Sequence, residues 1–290
     1  MNATRVLVTG AGGQVGAATV SFLQSTGHHD VLGTDHASLE LCDRDQVEQV
    51  VAGFEPDAIV NCAAITNVDR CEQEPDEAYA VNALGVRHLA VAAERIGAHV
   101  VHVSTDYVFD GDLGRPYHEW DAVNPISVYG RSKLGGELEL MRHASSWTVA
   151  RTAWVFGRRG KDFIQLALDA AEHPDRGIRF VDDQTGSPTY APDLAEMLVR
   201  LAVARRVGMF HVVNAGHCTR YELARDVLTA RGLDPSLLQT TTTAELARPA
   251  PRPVLSALDP MVLRLSNLPL LRHYRDALAS YVGRAEVTSR

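Results

Sequence analysis

A glycine-rich turn directly after the first apolar run is the feature that most restricts how this chain can fold. Residues 5–9 are mostly apolar or β-branched, as in a buried strand, and Gly10, Gly13 and Gly16 follow before a helical pattern begins. A strand, a glycine turn and a helix in this order let a dinucleotide pyrophosphate approach the backbone and meet the positive end of a helix dipole. The pattern therefore predicts a dinucleotide site, with a turn that only packs as the alternative.

Apolar runs and helical patterns continue to alternate along the chain. Strands are expected at residues 30–34, 57–64, 98–103 and 148–152, and helices at 45–54, 75–97, 129–143, 193–205 and 270–282. This order favours an α/β protein with a doubly wound parallel sheet. We expect residues 1–157 to form a dinucleotide-binding core. Residues 158–290 should form mainly a smaller C-terminal substrate-binding lobe, with some elements returning to the core.

Two aspartates near the second expected strand are candidates for the adenosine end of a cofactor. Asp35 ends that strand, close to the offset at which an acidic residue accepts hydrogen bonds from the adenosine ribose. No Lys or Arg follows it to neutralise a 2′-phosphate, which favours NADH and leaves NADPH open. Capping of a turn is the other interpretation of Asp35. Asp43 precedes a helix and can serve as its cap, as an adenine-edge contact, or as both.

Small residues follow the third expected strand. Ala63 and Ala64 would let a cofactor pass close to the sheet edge. Asn82 lies within the long helical region 75–97, where its amide either holds a loop or caps a kink.

Three side chains suggest proton-transfer chemistry. Tyr129 and Lys133 are four residues apart, so on a helix both can point into one cleft, although an exposed helix face has the same spacing. A nearby cation favours an ionised phenol, which makes tyrosine a better acid or base at neutral pH. Thr105 follows the fourth strand, at the carboxyl edge where such sheets bind ligands, and could hold a substrate oxygen beside the phenol.

Cations that could bind an anionic substrate occur in two places. Arg158, Arg159 and Lys161 precede an expected helix, where they form either a patch near the sheet edge or a solvated surface. Arg252 lies in the proline-rich segment 248–253, which could order an arginine against a phosphate or act as an inert connector.

Charge and cysteine content narrow the function classes. The net charge of −8 argues against nucleic-acid and membrane partners, since no broad basic surface is available. The four cysteines show no metal-ligand or disulfide spacing, so we expect reduced thiols. With no leader-like start and no apolar run of membrane-spanning length, the expected location is cytoplasmic.

Taken together, these motifs resemble the dTDP-4-dehydrorhamnose reductase family of extended short-chain dehydrogenase/reductases over nearly the whole length. The glycine spacing G-x-x-G-x-x-G is typical of that superfamily, in contrast to G-x-G-x-x-G. The motifs that carry the resemblance are residues 10–16, 61–64, 104–111, Tyr129 with Lys133, 151–157, 183–189, and Arg252-Pro253 before Ser256 and Leu258.

The resemblance implies a role for each matching residue. It implies a catalytic set of Thr105, Tyr129 and Lys133, sugar contacts from Thr105, Asp106 and Trp154, and an approach of Arg252 to the nucleotide diphosphate. It implies that the cofactor is lined by Gly10, Gly13, Gln14, Val15, Gly16, Asp35, Asp43, Arg44, Ala63, Ala64, Tyr129 and Lys133. Some relatives dimerise through a metal held by a carboxylate early in the first helix. Because this chain has Ala17 and Ala18 there, we expect no metal, and a monomer or homodimer.

The implied reaction is NADPH- or NADH-dependent reduction of the 4-keto group of a dTDP-4-keto-6-deoxyhexose, dTDP-4-dehydro-L-rhamnose above all. Tyr129 would protonate the alkoxide, Lys133 would lower the phenol's pKa and hold the nicotinamide ribose, and Thr105 would position the ketone oxygen. A 4,6-dehydratase is disfavoured because Asp106-Tyr107 replaces the usual Asp-Glu. A reductase of another nucleotide 4-ketosugar stays open, as does a non-catalytic subunit resembling the methionine adenosyltransferase β-subunit.

Overall fold

The structure is a computed structural model that describes residues 3–159, 163–176 and 178–287, so Lys161 of the expected cationic patch lies outside the described residues. Its strands are β1 Thr4–Thr9, β2 His29–Thr34, β3 Ala58–Asn61, β4 His99–Thr105, β5 Trp147–Thr152, β6 Val155–Phe156, β7 Arg179–Val181, β8 Thr185–Gly186, β9 Thr189–Tyr190, β10 Gly208–His211, β11 Asn214–Ala215, β12 Cys218–Thr219, β13 Gln239–Thr241 and β14 Leu271–His273.

The helices connect these strands and cover both faces of the main sheet. They are α1 Gln14–Thr26, α2 Arg44–Phe54, α3 Val68–Gln73, α4 Pro75–Tyr79, α5 Gly85–Ile96, α6 Val128–His143, α7 Phe163–Glu172, α8 Ala191–Val203, α9 Arg220–Ala230, α10 Thr243–Leu246, α11 Met261–Leu265 and α12 Tyr274–Val287. None of the helices in the described part of the chain is both long and apolar enough to span a membrane.

Six parallel strands form the main sheet in the order β10-β5-β4-β3-β1-β2. The chain leaves β1 on one side to form β2 and continues on its other side with β3. The carboxyl ends of β1 and β3 therefore flank a topological switch point, where sheets of this kind bind ligands. The α/β prediction with a doubly wound parallel sheet is confirmed.

Alternation along the central strands builds a hydrophobic layer on each face of the sheet. In β1, Val6 and Val8 pack with α1 and α8 on one face, whereas Leu7 packs with α2 and α5 on the other. All three side chains have zero exposure. A third apolar cluster lies between α7, α9 and α12 in the C-terminal part of the chain. These layers fix the strand ends from which the candidate site is built.

The helical region predicted at 75–97 contains a π-helical turn, Ala80–Leu84, between α4 and α5. This wider turn carries Asn82, whose side chain is completely buried. Its amide pairs with both backbone groups of Ile65, at 2.9 and 3.0 Å, and donates to Ser132 Oγ at 3.0 Å. Asn82 therefore holds the loop that follows β3, which was one of its two predicted roles.

Several predicted boundaries were wrong by a few residues for identifiable reasons. The strand expected at 57–64 ends at Asn61, whose Oδ1 accepts from Ala63 N and turns the chain. The helix expected at 193–205 begins earlier, with Pro192 in its first turn. The helix expected at 270–282 begins at Tyr274, because Leu271–His273 pairs with β11 instead.

Candidate active site

Two adjoining cavities lie at the carboxyl edge of the sheet, beside the switch point. The first has a volume of about 460 Å³ and the second of about 730 Å³, and Gly13, Cys62 and Ala64 line both of them. The first also contains Gly10, Asp35 and Ala63, and the second contains Gln14, Val15, Thr105, Asp106, Tyr129, Lys133 and Trp154. The fold thus brings together most of the residues that the sequence selected from distant positions.

The glycine turn after β1 forms a cradle that side chains would fill. Gly10 has a φ of +67°, and a Cβ there would lie 2.7 Å from Ala63 N. A Cβ on Gly16 would lie 2.1 Å from Gly10 O. Gly13 is the N-cap of α1 and offers no side chain to cap the first amides of that helix. The cradle is therefore shaped for close backbone approach by a phosphate-containing ligand, as a dinucleotide requires.

Asp35 caps a turn, which is one of the two roles considered from the sequence, and it also lines the first cavity. Its Oδ1 accepts from Ser38 Oγ at 2.9 Å and from the backbone N–H groups of Ala37 and Ser38, both at 3.1 Å. The hydrogen bond from the Ser38 side chain is the main reason why the pKa of Asp35 is lowered. The charged carboxylate lines the first cavity while its Oδ1 caps the turn.

Asp43 and Arg44 are not brought into either cavity. Asp43 caps α2 by accepting from Gln46 N at 3.0 Å, which fulfils the structural half of its predicted role. Arg44 Nε pairs with Glu48 Oε1 at 2.8 Å on the same helix. Both residues make local helix contacts, and a cofactor contact by either of them stays a prediction.

The three hydroxyl- and amine-bearing residues line the second cavity together. Thr105 is the last residue of β4, and Tyr129 and Lys133 lie one turn apart on α6. Helix α6 begins directly before the tyrosine, because the Ser127 side chain caps Gly130 N at 3.1 Å. The end of β4 and the capped start of α6 therefore place these three side chains in one wall of the second cavity.

The lysine is directed toward the sheet. Lys133 Nζ donates to Val103 O at 2.7 Å and lies 3.2 Å from His102 Nε2. Burial lowers the pKa of Lys133 to about 8. Burial also raises the pKa of the Tyr129 phenol, and a hydrogen bond with Thr105 opposes part of that rise. The expectation that Lys133 lowers the pKa of Tyr129 is not met in this arrangement, because Lys133 Nζ contacts Val103 O and His102 on β4 instead.

Asp106 is a buried carboxyl group next to the Thr105 hydroxyl. Its side chain is 2% exposed and accepts from Thr105 Oγ1 at 3.0 Å and from Ser256 Oγ. Burial raises the pKa of Asp106 to about 6. Tyr107, the next residue, packs edge-on against Tyr129 with ring centroids 5.6 Å apart. These contacts fix the wall that faces the tyrosine.

Trp154 has an uncommon backbone conformation, and its indole contacts Gly186 and Arg220. Its φ is +45°, in the left-handed region that bulky residues rarely adopt and that often marks a functional position. A Cβ on Gly186 would lie 2.3 Å from the indole, so this glycine leaves room for the ring. The Arg220 guanidinium carbon lies over the Trp154 ring, 3.6 Å from its centroid.

The cations of the second cavity differ from the one that the resemblance selected. Arg252 forms an ion pair with Asp69, with Nη2 to Oδ2 at 2.9 Å, and its Nη1 donates to Ala250 O at 2.8 Å. Its side chain is 8% exposed and lies outside the lining of both cavities. Arg159, Arg220 and Arg248 line the second cavity instead.

Arg220 was missed by sequence reasoning, and no local signal identifies it. It is the first residue of α9, after the capping residue Thr219, and it reaches the cavity only because α9 packs behind Trp154. Arg248 was noted only as part of the proline-rich segment. Across the described ranges, no group of three or more His, Cys, Asp or Glu side chains is arranged to hold a metal ion.

Comparison with known proteins gives consistent matches. The sequence model of the RmlD substrate binding domain matches residues 4–287. The chain is 43% identical to dTDP-4-dehydrorhamnose reductase of Mycobacterium tuberculosis (strain H37Rv) over 282 residues, 95% of this chain and 91% of the relative. It is 39% identical to the spore coat polysaccharide biosynthesis protein SpsK of Bacillus subtilis (strain 168) over 279 residues, 96% and 97% of the two chains.

A solved structure shares the fold over nearly the same length. The crystal structure of dTDP-4-dehydrorhamnose reductase (rfbD) from Bacillus anthracis str. Ames in complex with NADP superposes with a TM-score of 0.90 at 33% identity, covering 96% of this chain and 98% of that chain.

The parallel sheet, the glycine cradle and the Tyr129–Lys133 pair beside Thr105 define an extended short-chain dehydrogenase/reductase. The family model matches residues 4–287, which include all of these features. The chain belongs to the dTDP-4-dehydrorhamnose reductase family, whose sequence model is that of the RmlD substrate binding domain. The resemblance predicted from the motifs is confirmed.

Proposed function

We propose that the protein is an oxidoreductase that reduces the 4-keto group of a dTDP-4-keto-6-deoxyhexose with NADH or NADPH, and that dTDP-4-dehydro-L-rhamnose is its substrate. The observation that carries this proposal is the position of Thr105, Tyr129 and Lys133 in a cavity that adjoins the glycine cradle. A dinucleotide in the cradle and a sugar beside Tyr129 would share one continuous cleft. The names of the relatives supply the substrate class.

The residues of the second cavity suit proton delivery to a carbonyl oxygen. The reduced nicotinamide, when bound, supplies a hydride to the ketone carbon. Tyr129 gives its phenolic proton to the emerging alkoxide, while the Thr105 hydroxyl holds that oxygen in place. A protonated Lys133 turned toward the phenol would stabilise the tyrosinate left behind and hold ribose hydroxyl groups. Hydride and proton together account for the added hydrogen atoms.

Arg220 and Arg248 are the residues that we propose for the substrate diphosphate. Both line the second cavity, and no salt bridge engages Arg220 among the described residues, although its charge acts on the buried Asp106 carboxyl group. Its guanidinium is held on the indole of Trp154, so its orientation is fixed before an anion arrives. Arg252 is committed to Asp69 and is better understood as a support for the segment that carries Arg248.

Arg220→Met is expected to raise KM for the nucleotide sugar by roughly 10–100-fold with a smaller effect on kcat, because a charge-assisted hydrogen bond contributes about 1.5–3 kcal/mol. Initial-rate kinetics with varied sugar nucleotide would measure both constants. Arg225→Met is the matched control, since Arg225 lies on the same helix and outside the cavity lining. An unchanged KM in Arg220→Met would remove this arginine from substrate binding.

We propose NADH as the preferred cofactor because the Asp35 carboxylate lines the first cavity and its pKa is lowered. A charged carboxylate accepts ribose hydroxyl groups and repels a 2′-phosphate. Asp35→Asn keeps an oxygen to cap the turn but removes the charge. We expect the NADPH-to-NADH ratio of kcat/KM to rise about tenfold or more. Asp30→Asn, at the exposed start of the same strand, should leave the ratio unchanged.

The decisive test of the function is product identification. The purified protein would be incubated with reduced cofactor and dTDP-4-dehydro-L-rhamnose, and the sugar nucleotide product analysed by mass spectrometry and NMR. Cofactor oxidation with formation of dTDP-L-rhamnose supports the proposal. Oxidation only with a different nucleotide 4-ketosugar would change the substrate. Tight cofactor binding with no turnover on any of them would favour a non-catalytic subunit.

A further inference from the structure

Lys133 is the end of a chain of buried side chains that lies behind the cavity. Thr9 Oγ1 contacts Asn61 Oδ1 at 2.6 Å, Asn61 Nδ2 contacts His102 Nδ1 at 3.0 Å, and His102 Nε2 lies 3.2 Å from Lys133 Nζ. None of the four residues is more than 2% exposed. Water therefore cannot hydrogen-bond to these polar groups, and each of them must find a partner within the protein.

The direction of the hydrogen bonds in this series of side chains is set by the backbone N–H of Ala63. The N–H of Ala63 donates to Asn61 Oδ1 at 3.2 Å, which makes Oδ1 the acceptor and Nδ2 the donor of the amide. His102 Nδ1 therefore accepts from Nδ2. A neutral imidazole with an accepting Nδ1 carries its proton on Nε2. Burial favours this neutral form, because it holds the pKa of His102 well below its ordinary value.

The proton on His102 Nε2 points at Lys133 Nζ. An ammonium nitrogen has only donors, so it would place two N–H groups against each other, whereas a neutral amine has a lone pair to accept from Nε2. The amine can still donate to Val103 O at 2.7 Å. The pKa of Lys133 is lowered to about 8, so the neutral amine that this geometry requires is the main form only above that pH.

The other ionisable groups near Lys133 do not require an ammonium. Glu137, one turn along α6, is paired with Arg151 at 2.7 Å and accepts from Ser104 Oγ, so its charge is already balanced. Directly after β3, burial raises the pKa of the Cys62 thiol to about 12, which keeps it neutral. On α6, burial raises the pKa of Tyr129 and keeps the phenol neutral as well.

We propose that His102 is a positioning residue that, in mildly alkaline solution, holds Lys133 as a neutral amine directed at β4, and that the lysine takes up a proton when the reduced cofactor binds. An ammonium has to leave the Nε2–H donor, and the oxygen atoms of a bound ribose and of Tyr129 are the acceptors it would turn toward. The proton comes from solvent, and no other bond changes. The second half of this proposal rests on the proposed function, whereas the first concerns the protein alone.

The first test measures the tautomer of His102 without cofactor. In protein labelled with ¹⁵N in its imidazoles, long-range ¹H–¹⁵N correlation spectra distinguish Nε2–H, Nδ1–H and doubly protonated rings, and a His102→Gln spectrum assigns the signal. The expected result at about pH 8.5, where the amine form of Lys133 is populated, is a neutral ring with the proton on Nε2. A neutral Nδ1–H ring or an imidazolium would overturn the proposal whether or not the protein is a reductase.

The second test measures proton uptake during binding. NADH and NADPH would be titrated calorimetrically in buffers of different ionisation enthalpy, in a Tyr129→Phe background so that the phenol cannot contribute. We expect uptake of roughly half to one proton per cofactor at about pH 8.5 and almost none at about pH 6, as linkage to the lysine requires. Binding without uptake at either pH would overturn the coupling. Absence of cofactor binding would instead count against the proposed function.

Two variants test whether proton uptake on cofactor binding depends on the Asn61 amide. Asn61→Asp offers His102 Nδ1 a carboxylate acceptor, which moves the ring proton to Nδ1 and lets Nε2 accept from an ammonium. Proton uptake should then fall to near zero. Thr9→Val removes a contact at the other end of the chain without changing the ring proton, so uptake should match the parent background. Equal uptake in Asn61→Asp would contradict the proposal, and the tautomer spectrum of the parent decides the question if this variant does not fold.

Discussion

Tyr129→Phe is expected to lower kcat by about 10²–10⁴-fold while leaving the affinity for reduced cofactor close to that of the parent. The phenol lies in the wall of the second cavity with Thr105, whose hydroxyl group opposes part of the rise in the phenol's pKa. Removing one oxygen therefore removes the proton donor but keeps the ring and its edge-on contact with Tyr107. Single-turnover and steady-state kinetics would separate the loss in chemistry from binding.

Tyr107→Phe is the matched control for this experiment. It makes the same chemical change on a ring whose centroid lies 5.6 Å from that of Tyr129, in the same cavity. We expect it to lower kcat by less than about tenfold, because its oxygen has no assigned proton to deliver. Equal losses of kcat in the two variants would show that turnover depends on the overall polarity of the cavity and not on a proton from Tyr129. Near-parental turnover of Tyr129→Phe would exclude the proposed acid.

The parts of the site that sequence reasoning predicted are those set by local geometry. The cradle follows from the glycine spacing after an apolar strand: Gly16 is required by its contact with Gly10, and Gly10 by its contact with Ala63 in the turn after β3. Tyr129 and Lys133 share a helix, so their spacing alone places them on one face. Thr105 ends a strand, and the carboxyl ends of parallel strands meet at one edge.

The parts that could not be predicted depend on pairing between distant segments. Arg252 lies outside the cavity because Asp69, 183 residues earlier, accepts hydrogen bonds from both of its Nη atoms. Arg220 enters the cavity only through the packing of α9 against Trp154. The direction of Lys133 depends on a carbonyl and an imidazole of β4. A linear motif shows which residue types are present but not which of several possible partners each one meets.

Arg151→Met is expected to lower the free energy of unfolding by about 3–5 kcal/mol, because it leaves the Glu137 carboxylate buried without its cation. Arg151 and Glu137 are 2% and 0% exposed, and two nitrogen–oxygen contacts of 2.7 and 2.9 Å join them. Equilibrium unfolding in denaturant would measure the loss. Arg87→Met is the matched control, because its pair with Glu139 is on the exposed side of α6 and should contribute only about 0–1 kcal/mol.

The double variant Arg151→Met with Glu137→Met should recover most of that stability, because it removes the stranded charge along with its partner. The reason for retaining a buried ion pair here would then lie in the site, since Glu137 also accepts from Ser104, the residue before Thr105, and lies one turn from Lys133. If the double variant is stable but its turnover has a shifted pH profile, the role of the Glu137–Arg151 pair is to set the electrostatic environment of Lys133. A double variant as unstable as Arg151→Met would show instead that packing of the arginine, including its stacking on Phe109, supplies the stability.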